Sequence, residues 1–317
     1  MNRWTINLVL TLAGMGMVFT ACKRWFTYDL RGRVVLVTGG SRGLGLALAR
    51  ALAQEGARLA LCSRNPEALA EAKRVLGALG AEVFTQVCDV TDPAQVHALV
   101  QSVQTQLGPI EVLINNAGVI SVGPAVATCL EDYEQLMQTN FWGPLYTTLA
   151  VLPQMRARKA GRIVNIASIG GKVSLPHLVP YSSSKFALVG LSQGLREELA
   201  QDGVVVTTVC PGVIQTGTTA QQIYRGQAEK EEAWFTWSSN SMLTGIPLEE
   251  AARQILQALK SGQAELVFAL PVQVLERCHA LFPELTIGLL SWVNRLLPKA
   301  EPSEVVERTP TGDKATV

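Results

Sequence analysis

Charge of one sign is missing from this chain. Its 27 Lys and Arg face 26 Asp and Glu, so no basic field draws in nucleic acid. Paired cysteine is missing too. Cys22, Cys62, Cys88, Cys129, Cys210 and Cys278 form no CxxC, and none stands near a His at metal-ligand spacing. Cys62, Cys88 and Cys210 fall inside apolar, strand-like runs and read as buried free thiols. Scattered unpaired thiols suit a reducing compartment. Repeats and interdomain linkers are absent from the body of the chain. A long uncharged, strongly apolar run lies at the very start.

What remains is 317 residues, 48% of them hydrophobic, enough to bury a sizeable core. From Arg33 onward short β-rich runs alternate with amphipathic stretches. RVVLVT (33–38), ARLALCS (57–63), EVFTQVC (82–88), IEVLINN (110–116), GRIVNIAS (161–168), GVVVTTVCP (203–211) and AELVFAL (264–270) read as strands. Helices are expected at 43–56, 66–80, 93–107, along a long region ending near Arg158, at 181–200 and at 247–261. Near-continuous apolar strands alternating with helices predict a doubly wound α/β fold, a parallel sheet covered on both faces, in one domain over 33–270. Residues 271–299 read as an amphipathic extension, lying in a membrane interface or packed on the protein itself or a partner. Residues 300–317 read as a disordered tail.

TGGSRGLG, Thr38 to Gly45, joins the first strand to its helix, the context a phosphate-binding turn requires. Gly39 permits the tight turn, while Gly43 and Gly45 allow close approach of backbone and helix. The free N–H groups and dipole of the helix N-terminus then favour a pyrophosphate. Further on, Tyr181 and Lys185 in YSSSK stand one helical turn apart on one face. A neighbouring ammonium favours a phenolate, so the pair is suited to moving a proton.

The TGxxxGxG spacing resembles that of the short-chain dehydrogenase/reductase family, and other motifs follow in the family's order. They are Asp89 in CDV, NNAG (115–118), Asn140 in TNFWG, Ser168 at a strand end, YxxxK at Tyr181 and Lys185, and PG at Pro211 and Gly212. The resemblance covers about 33–270 and implies a Rossmann fold with a nicotinamide dinucleotide. It also implies a catalytic tetrad: Tyr181 exchanges the proton, Lys185 assists it and holds ribose, Ser168 holds the carbonyl oxygen, and Asn140 positions a relay water. It assigns cofactor contacts to Thr38, Gly39, Ser41, Arg42, Gly43, Leu44 and Gly45 in the first turn, and to Ser63 and Arg64 after the second strand. Asp89 and Val90, then Asn116, Ala117 and Gly118, continue the set. Pro211, Gly212, Val213 and Thr216 complete it beside Tyr181 and Lys185. A homodimer through helices at about 131–157 and 181–200 is a further implication of the resemblance.

The second strand ends in LCSRN, with no acidic residue to bond a ribose diol. Ser63, Arg64 and Arg42 stand there instead, and two guanidiniums clamp a 2′-phosphate. The expected cofactor is therefore NADP(H), unless Arg64 merely caps a surface turn. The expected function is interconversion of a carbonyl and a secondary alcohol. Its alternatives are an NAD-dependent dehydrogenase of the same fold and a catalytically idle dinucleotide-binding sensor or scaffold. The segment after Pro211 carries Tyr224, Trp234, Phe235, Trp237, Met242 and Leu243. It reads as an aromatic lid over a lipophilic substrate (fatty-acyl, steroid or retinoid-like) or as an amphipathic helix on a bilayer. His177, in the loop before Tyr181, either touches substrate or is simply solvated.

The uncharged run, INLVLTLAGMGMVFTAC (6–22), is followed at once by Lys23 and Arg24. Residues 1–25 are read as a membrane anchor, with the catalytic domain on the cytoplasmic side by the positive-inside bias. A cleaved signal with export, or a lipoprotein signal with Cys22 modified, are the alternatives.

Overall fold

The computed structural model describes residues 27–215, 222–240 and 245–300. Its centre is a seven-stranded sheet in the order β11-β7-β6-β4-β1-β2-β3, with every neighbouring pair parallel. The strands are β1 (Val34–Thr38), β2 (Arg58–Ser63), β3 (Val83–Val87), β4 (Val112–Asn115), β6 (Gly161–Ile166), β7 (Val204–Cys210) and β11 (Glu265–Val267). Four short strands stand outside it. β5 (Ile120–Val122) pairs with β9 (Gln222–Tyr224), and β8 (Val213–Gln215) with β10 (Gly245–Pro247).

Apolar alternation along β1 explains why both faces are covered. Val35 and Val37 enter one buried cluster and Val34 and Leu36 the other, because successive strand side chains point oppositely. The first cluster takes in helices α1 (Gly43–Gln54), α2 (Pro66–Gly77) and α8 (Leu248–Ser261). The second takes in α3 (Pro93–Leu107) and α5 (Gly143–Arg158), with Leu199 from the end of α6 (Val179–Leu199). The chain between β5 and α5 carries α4 (Leu130–Met137), and the chain after β9 carries α7 (Ala228–Asn240). Cys62, Cys88 and Cys210 are buried free thiols.

The chain reverses its winding direction between β1 and β4, which are neighbours although β2 and β3 intervene in sequence. In open α/β sheets the crevice beyond the strand ends at that point is where ligands bind.

Several expected boundaries shift. The long helical region before Arg158 is instead β5, α4, a π-helical turn (Gln138–Trp142) and α5. β5 exists because β9, about a hundred residues downstream, pairs with it, a nonlocal contact that periodicity does not register. The seventh strand stops at Val267. Phe268 is buried, Ala269 adopts φ +58°, and Pro271 lies in the first turn of α9 (Leu270–Leu281). Phe282 and Pro283 then break the extension into α9 and α10 (Pro283–Asn294). Val272 is buried against Ile169 and Val173, with Leu275 and Leu290 packed beside them.

The expectation of a membrane-anchored protein is corrected. Among the described residues no helix is long and apolar enough to cross a membrane. The run 6–22, on which that expectation stood, lies outside the described residues, as do Cys22 and the expected tail from 301 on.

Candidate active site

The glycine turn is built by backbone constraints. Gly39 has φ +64° and Gly43 φ +51°, conformations that favour glycine. A Cβ on Gly45 would stand 2.2 Å from the Gly39 carbonyl oxygen and 2.6 Å from Asn116 Nδ2, so only glycine lets α1 start this close to the turn. Arg42 precedes α1 without capping it through its side chain, and the first helical turn holds no acidic residue. The leading N–H groups and positive dipole end of α1 thus remain suited to an anion.

This turn is stitched to the NNAG segment across β1 and β4. Thr38 Oγ1 accepts from the Asn116 and Ala117 N–H groups at 3.0 and 3.1 Å. Asn116 Nδ2 donates to the carbonyls of Thr38 and Gly39 at 3.0 and 3.1 Å. Thr38 and Gly45 therefore shape the crevice from behind rather than lining it.

A cavity of about 840 Å³ runs along the crevice. Ser41, Arg42, Gly43, Leu44 and Ser63 line one end. Asn116, Ala117 and Gly118 form part of its wall, and Ser168, Tyr181, Lys185, Pro211, Gly212 and Val213 lie further along. Thr216 lies outside the described residues. Arg64 is exposed and 3.9 Å from Asp89. Asn65, not Arg64, caps α2, accepting from the Ala68 N–H at 2.6 Å. Asp89 Oδ1 accepts from the Thr91 N–H and hydroxyl at 3.0 and 2.8 Å. Val90 is buried against Gly143, where a Cβ would come within 3.0 Å of it.

Helix α6 starts at Val179, two residues earlier than YSSSK suggests, with Pro180 in its first turn. Tyr181 is half-buried on the cavity wall and Lys185 is 5% exposed. The Lys185 Nζ donates to the Ile166 carbonyl at 2.9 Å and stands 5.7 Å from the Tyr181 ring centre. The serines between do not supply helix N-caps. Ser183 and Ser184 donate back to the carbonyls of Val179 and Tyr181. Ser168 Oγ accepts from the Gly170 N–H at 3.0 Å, and the Ile169 N–H reaches the Pro211 carbonyl at 2.8 Å. That bond draws Pro211 and Gly212 toward Ser168.

Electrostatics here differ from the simple expectation. Burial pulls the Lys185 ammonium down to about 8. Burial likewise pushes the Tyr181 phenol above its ordinary value, opposed by its hydrogen bond with Ser168. The lowering expected from Lys185 does not prevail in this geometry, because both groups are taken out of water together. Beneath them the buried Cys210 thiol is pushed up to about 12 by burial.

Asn140 sits in the π turn, fully buried. Its Oδ1 accepts from the Val119 N–H at 3.0 Å, and its Nδ2 donates to the Val119 carbonyl and to Ser184 Oγ, both at 2.9 Å. The side chain thus pins the turn after NNAG onto α6, with both of its amide hydrogens engaged.

At the far end of the cavity Ile120, Leu175, Leu178, Ile214 and Phe235 supply apolar walls, with Gln215, Gln222 and Thr236 among them. Of the expected lid aromatics, Phe235 lines the cavity and Trp237 is 77% exposed. Met242 and Leu243 lie outside the described residues. His177 is not solvated. It is 6% exposed, and its Nδ1 lies 2.8 Å from Glu231 Oε1 on α7. The partners are 54 residues apart, with no motif to join them.

These residues fit a dinucleotide: a glycine turn with an uncapped helix start at one end, and a Ser–Tyr–Lys cluster further along. A family model described as short chain dehydrogenase matches residues 33–225. The ketoacyl reductase HetN of a Nostoc species is 37% identical over 240 residues, covering 75% of this chain and 79% of that protein. A gluconate 5-dehydrogenase from Burkholderia cenocepacia, solved with NADP and tartrate, is 28% identical with a TM-score of 0.68, covering 78% of this chain and 97% of that one. A variant of actinorhodin polyketide ketoreductase, solved with NADPH, is 32% identical with a TM-score of 0.66, covering 76% and 97%. The fold is one that binds a nicotinamide dinucleotide. The chain belongs to the short-chain dehydrogenase family and is an oxidoreductase.

Proposed function

We propose that the protein is an NADP(H)-dependent oxidoreductase that interconverts a lipophilic ketone and its secondary alcohol, with Tyr181 as the acid and base. One observation carries this reading: Ser168, Tyr181 and Lys185 line the same cavity as the glycine turn, together with the apolar Ile120, Leu175, Leu178, Ile214 and Phe235. The glycine turn and the α1 N-terminus would hold the pyrophosphate, and Lys185 the nicotinamide ribose. When bound, the cofactor supplies or accepts the hydride at the carbinol carbon. Ser168, hydrogen-bonded to the phenol, holds the substrate oxygen where Tyr181 exchanges its proton. Lys185 keeps positive charge beside the ring and favours its ionised form. Asn140 acts at one remove, by fixing Val119 and Ser184.

The NADP(H) preference is supported by Arg42 and Ser63 on the cavity wall and by the exposed Arg64. NADP or NADPH is also the cofactor named with two structural relatives. A lipophilic carbonyl suits the walls formed by Ile120, Leu175, Leu178 and Phe235.

Two measurements test the proposal. NADPH should bind more tightly than NADH in fluorescence titrations, and equal or stronger NADH binding overturns the cofactor reading. Tyr181→Phe should lower kcat by about 100-fold or more while leaving NADPH affinity nearly unchanged. Retained turnover places the acid elsewhere.

A further inference from the structure

We propose that His177 and Glu231 form a buried latch that holds α7 over the substrate end of the cavity, making both positioning residues for the substrate. The proposal rests on reading that end of the cavity as the substrate site.

Glu231 is the only buried side chain described on α7, and its exposure is 0%. The helix thus buries a polar contact beside the half-buried Trp234 and Phe235. An ionised carboxylate only accepts hydrogen bonds, and burying one without donors is costly. Two donors meet it. His177 Nδ1 lies 2.8 and 2.9 Å from its oxygens, and Trp234 Nε1 donates to Oε2 at 2.5 Å. The indole of Trp234 stands edge-on to the His177 ring at 6.2 Å and 82°. His177 itself is fixed from behind, since its carbonyl accepts from the Gly123 N–H at 2.8 Å. Its φ of +62° is a left-handed conformation that residues with side chains rarely adopt. Such a conformation persists where surrounding contacts over-determine it.

The consequence falls on both walls of the cavity. Glu231 lies one turn before Phe235 and Thr236, which line it from α7. His177 stands between Leu175 and Leu178, which line it from the opposite segment. The base of the α7 segment is tied separately, by Arg225 to the buried Asp132 at 2.7 Å. The latch is thus what sets the gap between Phe235 and Leu178. Opening it widens the substrate end while leaving the glycine turn untouched.

Hydrogen exchange on the full chain tests the latch without any substrate. His177→Gly relieves the backbone conformation but removes the ring, and Glu231→Ala removes the acceptor. Each should speed exchange in residues 228–240 by about tenfold or more, with Val34–Thr38 unchanged as a control for intact folding. The double variant should exchange no faster than the faster single, since coupled partners are not additive. His177→Asn keeps a donor and tolerates positive φ, and should restore protection to within about threefold of wild type. Unchanged exchange at 228–240 in both single variants overturns the latch.

Kinetics with 2-decanone and NADPH then test positioning. The KM for ketone should rise about tenfold or more in His177→Gly, the KM for NADPH should hold, and His177→Asn should recover the ketone value. Faster exchange with an unchanged ketone KM overturns the positioning role. A wild-type protein inert toward ketones defeats the proposed function instead, and the exchange result still decides whether the latch exists.

Discussion

Replacing Lys185 by Met separates what the site needs from what the fold tolerates. Lys185 is 5% exposed, and burial brings its ammonium from 10.5 down to about 8. At about 1.4 kcal/mol per pH unit, that fall costs the folded protein about 3 kcal/mol at neutral pH. Methionine has a similar volume and no charge, so this cost disappears. Against the gain stands the bond from Nζ to the Ile166 carbonyl at 2.9 Å, whose loss costs about 1–2 kcal/mol. Lys185→Met should therefore be more stable than wild type by about 1–2 kcal/mol at pH 7, although turnover collapses. The pH dependence carries the sharper signature. The folded value lies below the unfolded one, so between pH 8 and 10.5 the unfolded chain binds more protons. Wild-type stability then rises with pH across that window, and the variant's advantage shrinks. Cys210, pushed up to about 12, works oppositely above its ordinary value but is present in both proteins. Urea unfolding followed by circular dichroism from pH 7 to 10 reads the difference directly. A variant less stable at pH 7, or an advantage constant from pH 8 to 10, would refute the reasoning.

Gly45→Ala should weaken NADPH binding and destabilise the fold by about 1–3 kcal/mol, because its Cβ would stand 2.2 Å from the Gly39 carbonyl; fluorescence titration and thermal melts check both. Ser168→Ala removes the hydrogen bond that lowers the Tyr181 phenol against its burial, so the phenol moves further up. Alcohol oxidation needs the ionised phenol, and its rise with pH should shift to higher pH; an unshifted profile argues against Ser168 as the partner. Arg42→Ala should weaken NADPH by about 10-fold or more while leaving NADH within about twofold, read by titration. Equal losses for both cofactors would mean that Arg42 serves the shared pyrophosphate instead.

Local patterns made much of this protein legible before folding. Apolar runs such as VVLVT announce buried parallel strands because both strand faces lose contact with water. The glycine turn at Thr38–Gly45 is legible because close approach of backbone to backbone leaves few residue choices. Tyr181 and Lys185 declare their shared face through helical spacing alone. What joins distant segments was not legible. The β5–β9 pairing, the stitching of Thr38 to Asn116, and the commitment of Asn140 to Val119 and Ser184 each depend on partners far along the chain. His177 looks like any loop histidine until Glu231 arrives from 54 residues away.

The sequence by itself determined the seven strands of the central sheet, the glycine turn after the first of them and the shared helical face of Tyr181 and Lys185, because each is written in spacings of a few residues. Tertiary structure alone decided that Tyr181 is raised and Lys185 lowered, that Asn140 pins Val119 and Ser184, and that α7 buries a carboxylate. Those outcomes depend on desolvation and on hydrogen-bond partners, and both exist only once the chain has closed on itself.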